Sequence, residues 1–155
     1  MKLLVVVGDA EAQARAAVDQ LALRHEVAVH ATGAFDAPED VRVTRFERSG
    51  ALLEQIHRDG RSYDAILFFG SEHESCAQGL RIAPERAALI PAVRDPMALE
   101  ERTAQALFHL PRAFGFQNAA EESLVRARFR NGRIPGLHLD EDGALERLLA
   151  LVSST

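Results

Sequence analysis

The stretch LLVVVG, residues 3–8, decides the fold class of this chain. An unbroken run of aliphatic and β-branched residues that ends at a glycine is typical of a central parallel strand, which is buried on both faces. Residues 10–24 are mostly helix formers with apolar side chains at helical spacing. A buried strand followed directly by an amphipathic helix is the beginning of a βαβ unit.

The same alternation continues along the chain. Further strands are predicted at 26–31, 41–46, 63–69, 87–90 and 113–116, and helices between them at 49–60, 72–80 and 97–109. Ser49 is expected to cap one helix, and Asn118 another that runs to residue 129, with Glu121 completing a capping box. These patterns predict a single Rossmann-like α/β domain, a mostly parallel sheet of about six strands with helices on both faces.

The last part of the chain is predicted to contain a connection and a helix. Residues 1–130 form the expected Rossmann-like domain, and residues 131–140 are rich in glycine and proline and predict an extended connection. Residues 142–152 form an amphipathic helix, with Leu145, Leu148, Leu149 and Val152 on one side. A helix this short is stable only when it docks, so we expect it to pack on the domain. If it caps a neighbouring molecule instead, the chain forms a homodimer.

Composition excludes several classes of partner. The formal net charge of the 155 residues is -5 and no basic stretch stands out, which argues against nucleic acid and anionic membranes. No apolar run approaches the about 20 residues of a transmembrane helix, and no signal-peptide pattern is present. Lys2 is the only lysine, and the many arginines and alanines suggest a GC-rich bacterial genome.

Familiar catalytic and cofactor motifs do not occur in the sequence. The first strand leads into Gly8-Asp9-Ala10-Glu11, which is neither a dinucleotide fingerprint nor a phosphate-binding loop, so no cofactor is expected. The segment Glu72-His73-Glu74 has metal-binding residue types, but adjacent residues rarely converge on one ion, and we expect no metal. Cys76, the only cysteine, fits a small buried side chain and a cytoplasmic protein better than a nucleophile.

Five segments, taken in their order, resemble the N-terminal domain of family 4 glycosyltransferases, which have the GT-B fold. These segments are GDAE at 8–11, LALRHEVAV at 21–29, YDAILFFG at 63–70, APERAALIPAVRDP at 83–96, and PRAF, FQN and EE between 111 and 122. They cover most of residues 1–130. The resemblance implies a retaining enzyme that transfers a sugar from a nucleotide-sugar donor to an acceptor.

In that family the N-terminal domain is the acceptor side, and a second domain supplies the nucleotide-sugar site. No second βαβ series follows in this sequence. The resemblance therefore implies an acceptor-side half that is inactive alone, with a missing or separately encoded donor-binding domain as partner and a small molecule or glycan as acceptor. The alternatives are a degenerate, non-catalytic binding domain and an unrelated doubly wound domain that binds another small ligand.

Two residues depart from the family pattern. Asp9 stands where relatives have the second glycine of a turn that faces phosphates, and Arg94 stands where they have a histidine near the reacting sugar. Asp9 is a candidate either for binding or for capping the first helix, and Arg94 either for an anionic group or for an ion pair with Asp95.

Ligands of open α/β sheets bind at the carboxyl ends of the strands. The residues that follow the predicted strand ends are therefore the candidate site residues, with no catalytic role assigned to any of them. They are Gly8, Asp9, Gly70, Ser71, His73, Arg94, Asp95 and Asn118.

Overall fold

The computed structural model of the chain describes residues 1–70, 74–93, 108–129 and 133–153. Its strands are β1 (Lys2–Val7), β2 (Glu26–Ala31), β3 (Arg42–Arg45), β4 (Ala65–Phe69), β5 (Ala87–Ile90), β6 (Ala113–Phe116) and β7 (Gly136–His138). Its helices are α1 (Glu11–Leu21), α2 (Ser49–Asp59), α3 (Glu74–Gly79), α4 (Ala119–Phe129) and α5 (Ala144–Ser153), with short 3₁₀ turns at Gly60–Ser62 and Pro84–Arg86. The helix predicted over residues 97–109 lies almost wholly outside the described residues.

The strands form one seven-stranded sheet in the order β3-β2-β1-β4-β5-β6-β7. Every neighbouring pair is parallel. This arrangement confirms the prediction of a Rossmann-like parallel sheet with helices on both faces. Because the chain leaves β1 towards β2 and leaves β4 towards β5, the strand order reverses between β1 and β4, which makes this the topological switch point of the sheet.

The two faces of the sheet are covered by different helices. Along β1, Leu3 and Val5 enter one core with α1 and α5, whereas Leu4 and Val6 enter a second core with α2 and α3. This alternation follows from the two-residue period of a strand, and both faces are apolar because both are covered. We call these sides of the sheet the α1 face and the α2 face.

The strand β7 corrects one prediction. Residues 131–140 were expected to be a connection, but Gly136–His138 pairs in parallel with β6, from Phe114 opposite Gly136 to Phe116 opposite His138. The backbone amide of Leu139 also donates to the carbonyl of Phe116 at 2.7 Å. The physical reason is that β6 would otherwise leave its backbone groups unpaired at the sheet edge.

Two expectations about the helices have different outcomes. Ser49 is not an N-cap, because α2 already begins at Ser49 and its cap is Arg48, which has an extended backbone and makes no side-chain capping bond. The last helix does dock on the domain. Leu145, Leu148, Leu149 and Val152 are all buried in the core of the α1 face.

One polar side chain is buried in the core near β2. His30 is 2% exposed, and its ring nitrogens meet no partner at full hydrogen-bond geometry among the described residues. Its ring packs edge-on against Phe46, with 5.1 Å between ring centroids. Burial lowers the pKa of His30, since an imidazolium would lose its hydration there. His30 is therefore a neutral core residue.

Candidate functional site

The described candidate residues lie at one edge of the sheet. Gly8 and Asp9 follow β1, Gly70 follows β4, and Asn118 follows β6. Because all strands are parallel, their carboxyl ends meet at this edge, which we call the carboxyl edge. Ser71, His73, Arg94 and Asp95 lie outside the described residues. The edge is the position that the sequence predicts for the site, and the binding role of these residues stays a prediction.

Asp9 and Gly70 meet at the topological switch point. The amide of Gly8 donates to the carbonyl of Phe69 at 2.8 Å, and the amide of Gly70 donates to the carbonyl of Ile90 at 2.9 Å, so both glycines extend the ladder. Gly70 has a φ of +113°. A Cβ at this position would lie 2.7 Å from the backbone nitrogen of Asp9 and would collide with the Asp9 carboxylate. The glycine thus lets the two loops close on each other.

The Asp9 side chain is exposed and does not cap the first helix. The N-cap of α1 is Ala10, which makes no side-chain capping bond. The alternative role of Asp9 as an N-cap is therefore wrong. Its carboxylate lines an open cleft of about 470 Å³ together with the first turns of α1, where Glu11 and Arg15 form an ion pair at 2.6 Å. A carboxylate in this place accepts hydrogen bonds from hydroxyl groups and repels phosphates.

The loop after β5 contains a strained backbone position at this edge. Ala92 follows Pro91 with a φ of 46°, in the left-handed region that residues with a side chain rarely adopt. Such a conformation costs on the order of 1–3 kcal/mol and persists only where the surroundings impose it. The strained backbone of Ala92 at a strand end supports the carboxyl edge as a functional site, because strained residues concentrate at such sites.

The loop after β6 is held by the predicted capping box. The amide of Glu121 donates to Oδ1 of Asn118 at 2.9 Å, and the amide of Gln117 donates to the carboxylate of Glu121 at 3.0 Å. Asn118 is therefore a structural cap at the start of α4, and its Oδ1 is not free for a ligand. The sequence predicted this box and also placed Asn118 in the site, and the structure shows the capping role.

Glu121 links the ends of two strands at the carboxyl edge. Burial raises the pKa of its carboxyl group, although hydrogen bonds from the backbone of Gln117 and Val93 act in the opposite direction. Gln117 follows β6 and Val93 follows β5 along the chain. A titratable group with a raised pKa at this edge is a candidate site residue that the sequence identified only as a helix cap.

Cys76 has the environment of an inert thiol. It is fully buried, its Sγ lies 3.6 Å from the carbonyl oxygen of Phe69, and burial raises its pKa. A thiol that stays protonated is a poor nucleophile. The expectation that Cys76 is a small buried side chain is confirmed.

The described residues contain no group of three or more histidine, cysteine, aspartate or glutamate side chains that could hold a metal ion. Of the segment Glu72-His73-Glu74, only the backbone of Glu74 is described. In the same part of the chain, no helix is long and apolar enough to cross a membrane.

The geometry of the carboxyl edge allows a limited chemistry. It offers the Asp9 carboxylate, two loops with constrained backbones, and the Glu121 carboxyl group, which are groups that bind and orient a polar ligand. Comparison with models of known protein families and with curated proteins finds no match for this chain.

Proposed function

We propose that this chain is the acceptor-side half of a retaining glycosyltransferase of the GT-B type and that it acts in the cytoplasm. In this role it binds an acceptor at the carboxyl edge and meets a donor-binding domain there. That domain would lie outside these 155 residues or on another protein. An acceptor hydroxyl would form the new bond to the anomeric carbon while the bond to the nucleotide phosphate breaks, and the hydroxyl proton would leave with the phosphate.

One observation carries the proposal: the segments that resemble the glycosyltransferase family end at neighbouring strands of the sheet. YDAILFFG ends at Gly70 after β4. The LIPAV part of the segment APERAALIPAVRDP spans the end of β5, and AFGFQN spans the end of β6. A family pattern whose pieces meet at the ligand-binding edge is more specific than the same pieces on unconnected surfaces. The buried free thiol of Cys76 agrees with a reducing cytoplasm.

The contact between Asp9 and Gly70 favours a second candidate function. The carboxylate lies at the switch point, so a negative charge occupies the place where a donor phosphate would approach. A degenerate domain that binds a ligand without taking part in transfer would show this charge too. The two candidates differ in whether sugar transfer depends on the chain.

The test separates binding of the donor from transfer. We expect calorimetry with a panel of UDP-, GDP-, ADP- and dTDP-sugars to detect no binding by the purified chain tighter than about 100 μM, since the donor site is absent and Asp9 repels the phosphates. Micromolar binding of any donor would contradict the acceptor-half assignment.

The second arm adds the purified chain to an extract of source cells from which its gene has been deleted, with radiolabelled nucleotide sugars. A labelled product with retained configuration that forms only in the presence of the chain supports the proposal. Asp9→Asn is the matched variant, because it removes the charge and keeps the shape. An extract in which the chain changes no labelled product would contradict transfer and would leave the degenerate binding domain as the function.

A further inference from the structure

A second cleft lies between two helices on the α1 face. It has a volume of about 330 Å³ and separates α1 from the start of α5. Its lining includes Gln13, Gln20, Gln117, Ala16, Leu139 and Leu145. We call it the amide cleft. Its size is at the lower end of the about 300–1,000 Å³ that small-molecule sites occupy.

Small residues of α1 leave room for the cleft. Ala12, Ala16 and Ala17 line it with methyl groups only, beside the longer side chains of Gln13 and Gln20. The gap opens towards the carboxyl edge, because Gln117 and Leu139 directly follow β6 and β7. It also adjoins the cleft at Asp9, since Ala12 and Gln13 line both.

The polar groups of the amide cleft are all carboxamides. Gln13, Gln20 and Gln117 line it, and none of the described residues that line it is charged. Each carboxamide offers donors and an acceptor, which is the combination that hydroxyl and amide groups of a ligand need. Among the described lining residues, a charged ligand would meet no opposite charge.

Gln117 is the side chain most directly prepared for a ligand. Its Nε2 is buried and has no hydrogen-bond partner among the described residues. A buried donor without a partner is unfavourable. A half-turn of the terminal carboxamide brings Nε2 into the cleft, where a ligand oxygen accepts its hydrogen bond.

We propose that the amide cleft binds the acceptor, and that the acceptor is an uncharged molecule with hydroxyl or amide groups, such as a neutral sugar or polyol. The role of this ligand as an acceptor rests on the proposed function, whereas the binding of an uncharged ligand does not. A ligand in this cleft reaches the carboxyl edge past Gln13, where the Asp9 carboxylate accepts a hydrogen bond from a hydroxyl group.

The experiment is a nuclear magnetic resonance titration of the isotope-labelled chain. The uncharged probes are glucose, N-acetylglucosamine and myo-inositol, and the charged probes are glucose 6-phosphate and glucuronate. We expect at least one uncharged probe to shift the side-chain amide signals of Gln13 and Gln117 in a saturable way. Its charged counterpart should bind at least about tenfold more weakly, because the cleft holds no countercharge.

Two variants and one control test the assignment to the cleft. Gln117→Leu should weaken the binding of the uncharged probe by about three- to tenfold, because one hydrogen bond is lost. Ala16→Phe should abolish binding by filling the space. Gln78→Leu is the matched control, because Gln78 is exposed on α3, at the α2 face, and should leave binding unchanged.

The proposal is overturned if no uncharged probe shifts the cleft signals, if the charged probes bind as tightly, or if Gln117→Leu binds like the control. Uncharged binding without any sugar transfer in the extract assay would uphold the amide cleft and refute the glycosyltransferase half. Transfer that survives Ala16→Phe would uphold the glycosyltransferase half and refute the cleft as its acceptor site.

Discussion

Gly70 shows how a single missing side chain shapes the candidate site. Its φ of +113° is a backbone conformation that residues with a Cβ rarely adopt, and the missing Cβ leaves room for Asp9. Asp9 in turn sets the charge of the edge. At the residue scale, the candidate site therefore depends on a glycine for its shape, and an exposed carboxylate places a negative charge beside that glycine.

We predict that Gly70→Ala destabilises the protein by about 2 kcal/mol or more. An alanine would be strained at this positive φ, and its methyl group would collide with Asp9. The measurement is urea unfolding of the variant beside the wild type. Gly33→Ala is the matched control, since a Cβ there meets nothing within 4 Å and its φ is not positive. Equal unfolding free energies for the two variants would show that the contact between Asp9 and Gly70 is not tight.

At the scale of elements, a charged cluster fastens the edge strand β7 to α4. Nε2 of His138 lies 2.7 Å from Oε1 of Glu122. The other carboxylate oxygen of Glu122, Oε2, lies 2.8 Å from Nε of Arg126. Arg126 also donates to the carbonyl of Ile134, at 2.8 Å. Since β7 has only three residues, these bonds outside the ladder hold it against β6.

The pKa values of this cluster give its stability a defined dependence on pH. The hydrogen bond to Glu122 raises the pKa of His138 above 6.5. Partial burial opposes the change at Glu122, but hydrogen bonds from His138 and Arg126 lower its pKa below 4.5. The contribution of His138 to the free energy of unfolding is thus complete below pH 6.5. It is lost as the pH rises through the pKa of His138 in the folded protein. The contribution of Glu122 is complete above pH 4.5 and is lost on acidification.

We predict that His138→Gln lowers the free energy of unfolding most between pH 4.5 and 6.5 and has little effect in alkaline solution. Urea unfolding across the pH range measures this difference. His57→Gln, at an exposed position on α2, is the control and should show no such dependence. A difference that grows above neutral pH would refute the ion pair between β7 and α4.

At the scale of the whole molecule, α5 completes the core that α1 begins. Its apolar side packs on β6 and β7. The fit is close at Gly115, where a Cβ would lie 3.1 Å from Cδ2 of Leu148. The helix that ends the described chain is therefore part of the protein core, and its apolar side faces its own sheet.

We predict that Leu148→Ala destabilises the protein by about 2–5 kcal/mol, the cost of a cavity under α5. Leu124→Ala is the matched control on α4, because Leu124 is 60% exposed and its truncation should change stability by less than about 0.5 kcal/mol. Thermal unfolding should show a fall of about 2–4 °C per kcal/mol for a protein of this size. Equal melting temperatures for the two variants would show that α5 is dispensable.

The sequence by itself determined the elements that carry strong local signals. The strands at 26–31, 87–90 and 113–116 were predicted at their observed bounds, because each is an apolar run with a clear end. The capping box of Asn118 and Glu121 and the apolar side of α5 were readable for the same reason, since each depends on residues a few positions apart. The meeting of the strand ends at the carboxyl edge followed from the rule that alternating strands and helices form parallel sheets.

Only the tertiary structure decided the features that join distant parts of the chain. The segment Gly136–His138 has no strand pattern of its own and became β7 because β6 offered an unpaired edge. Asp9 meets Gly70, and Gln13 and Gln117 line one cleft, across separations that no local pattern encodes. The physical reason is that hydrophobic periodicity reports which face of an element is buried, whereas a cleft depends on which other element covers that face and on how closely their side chains approach.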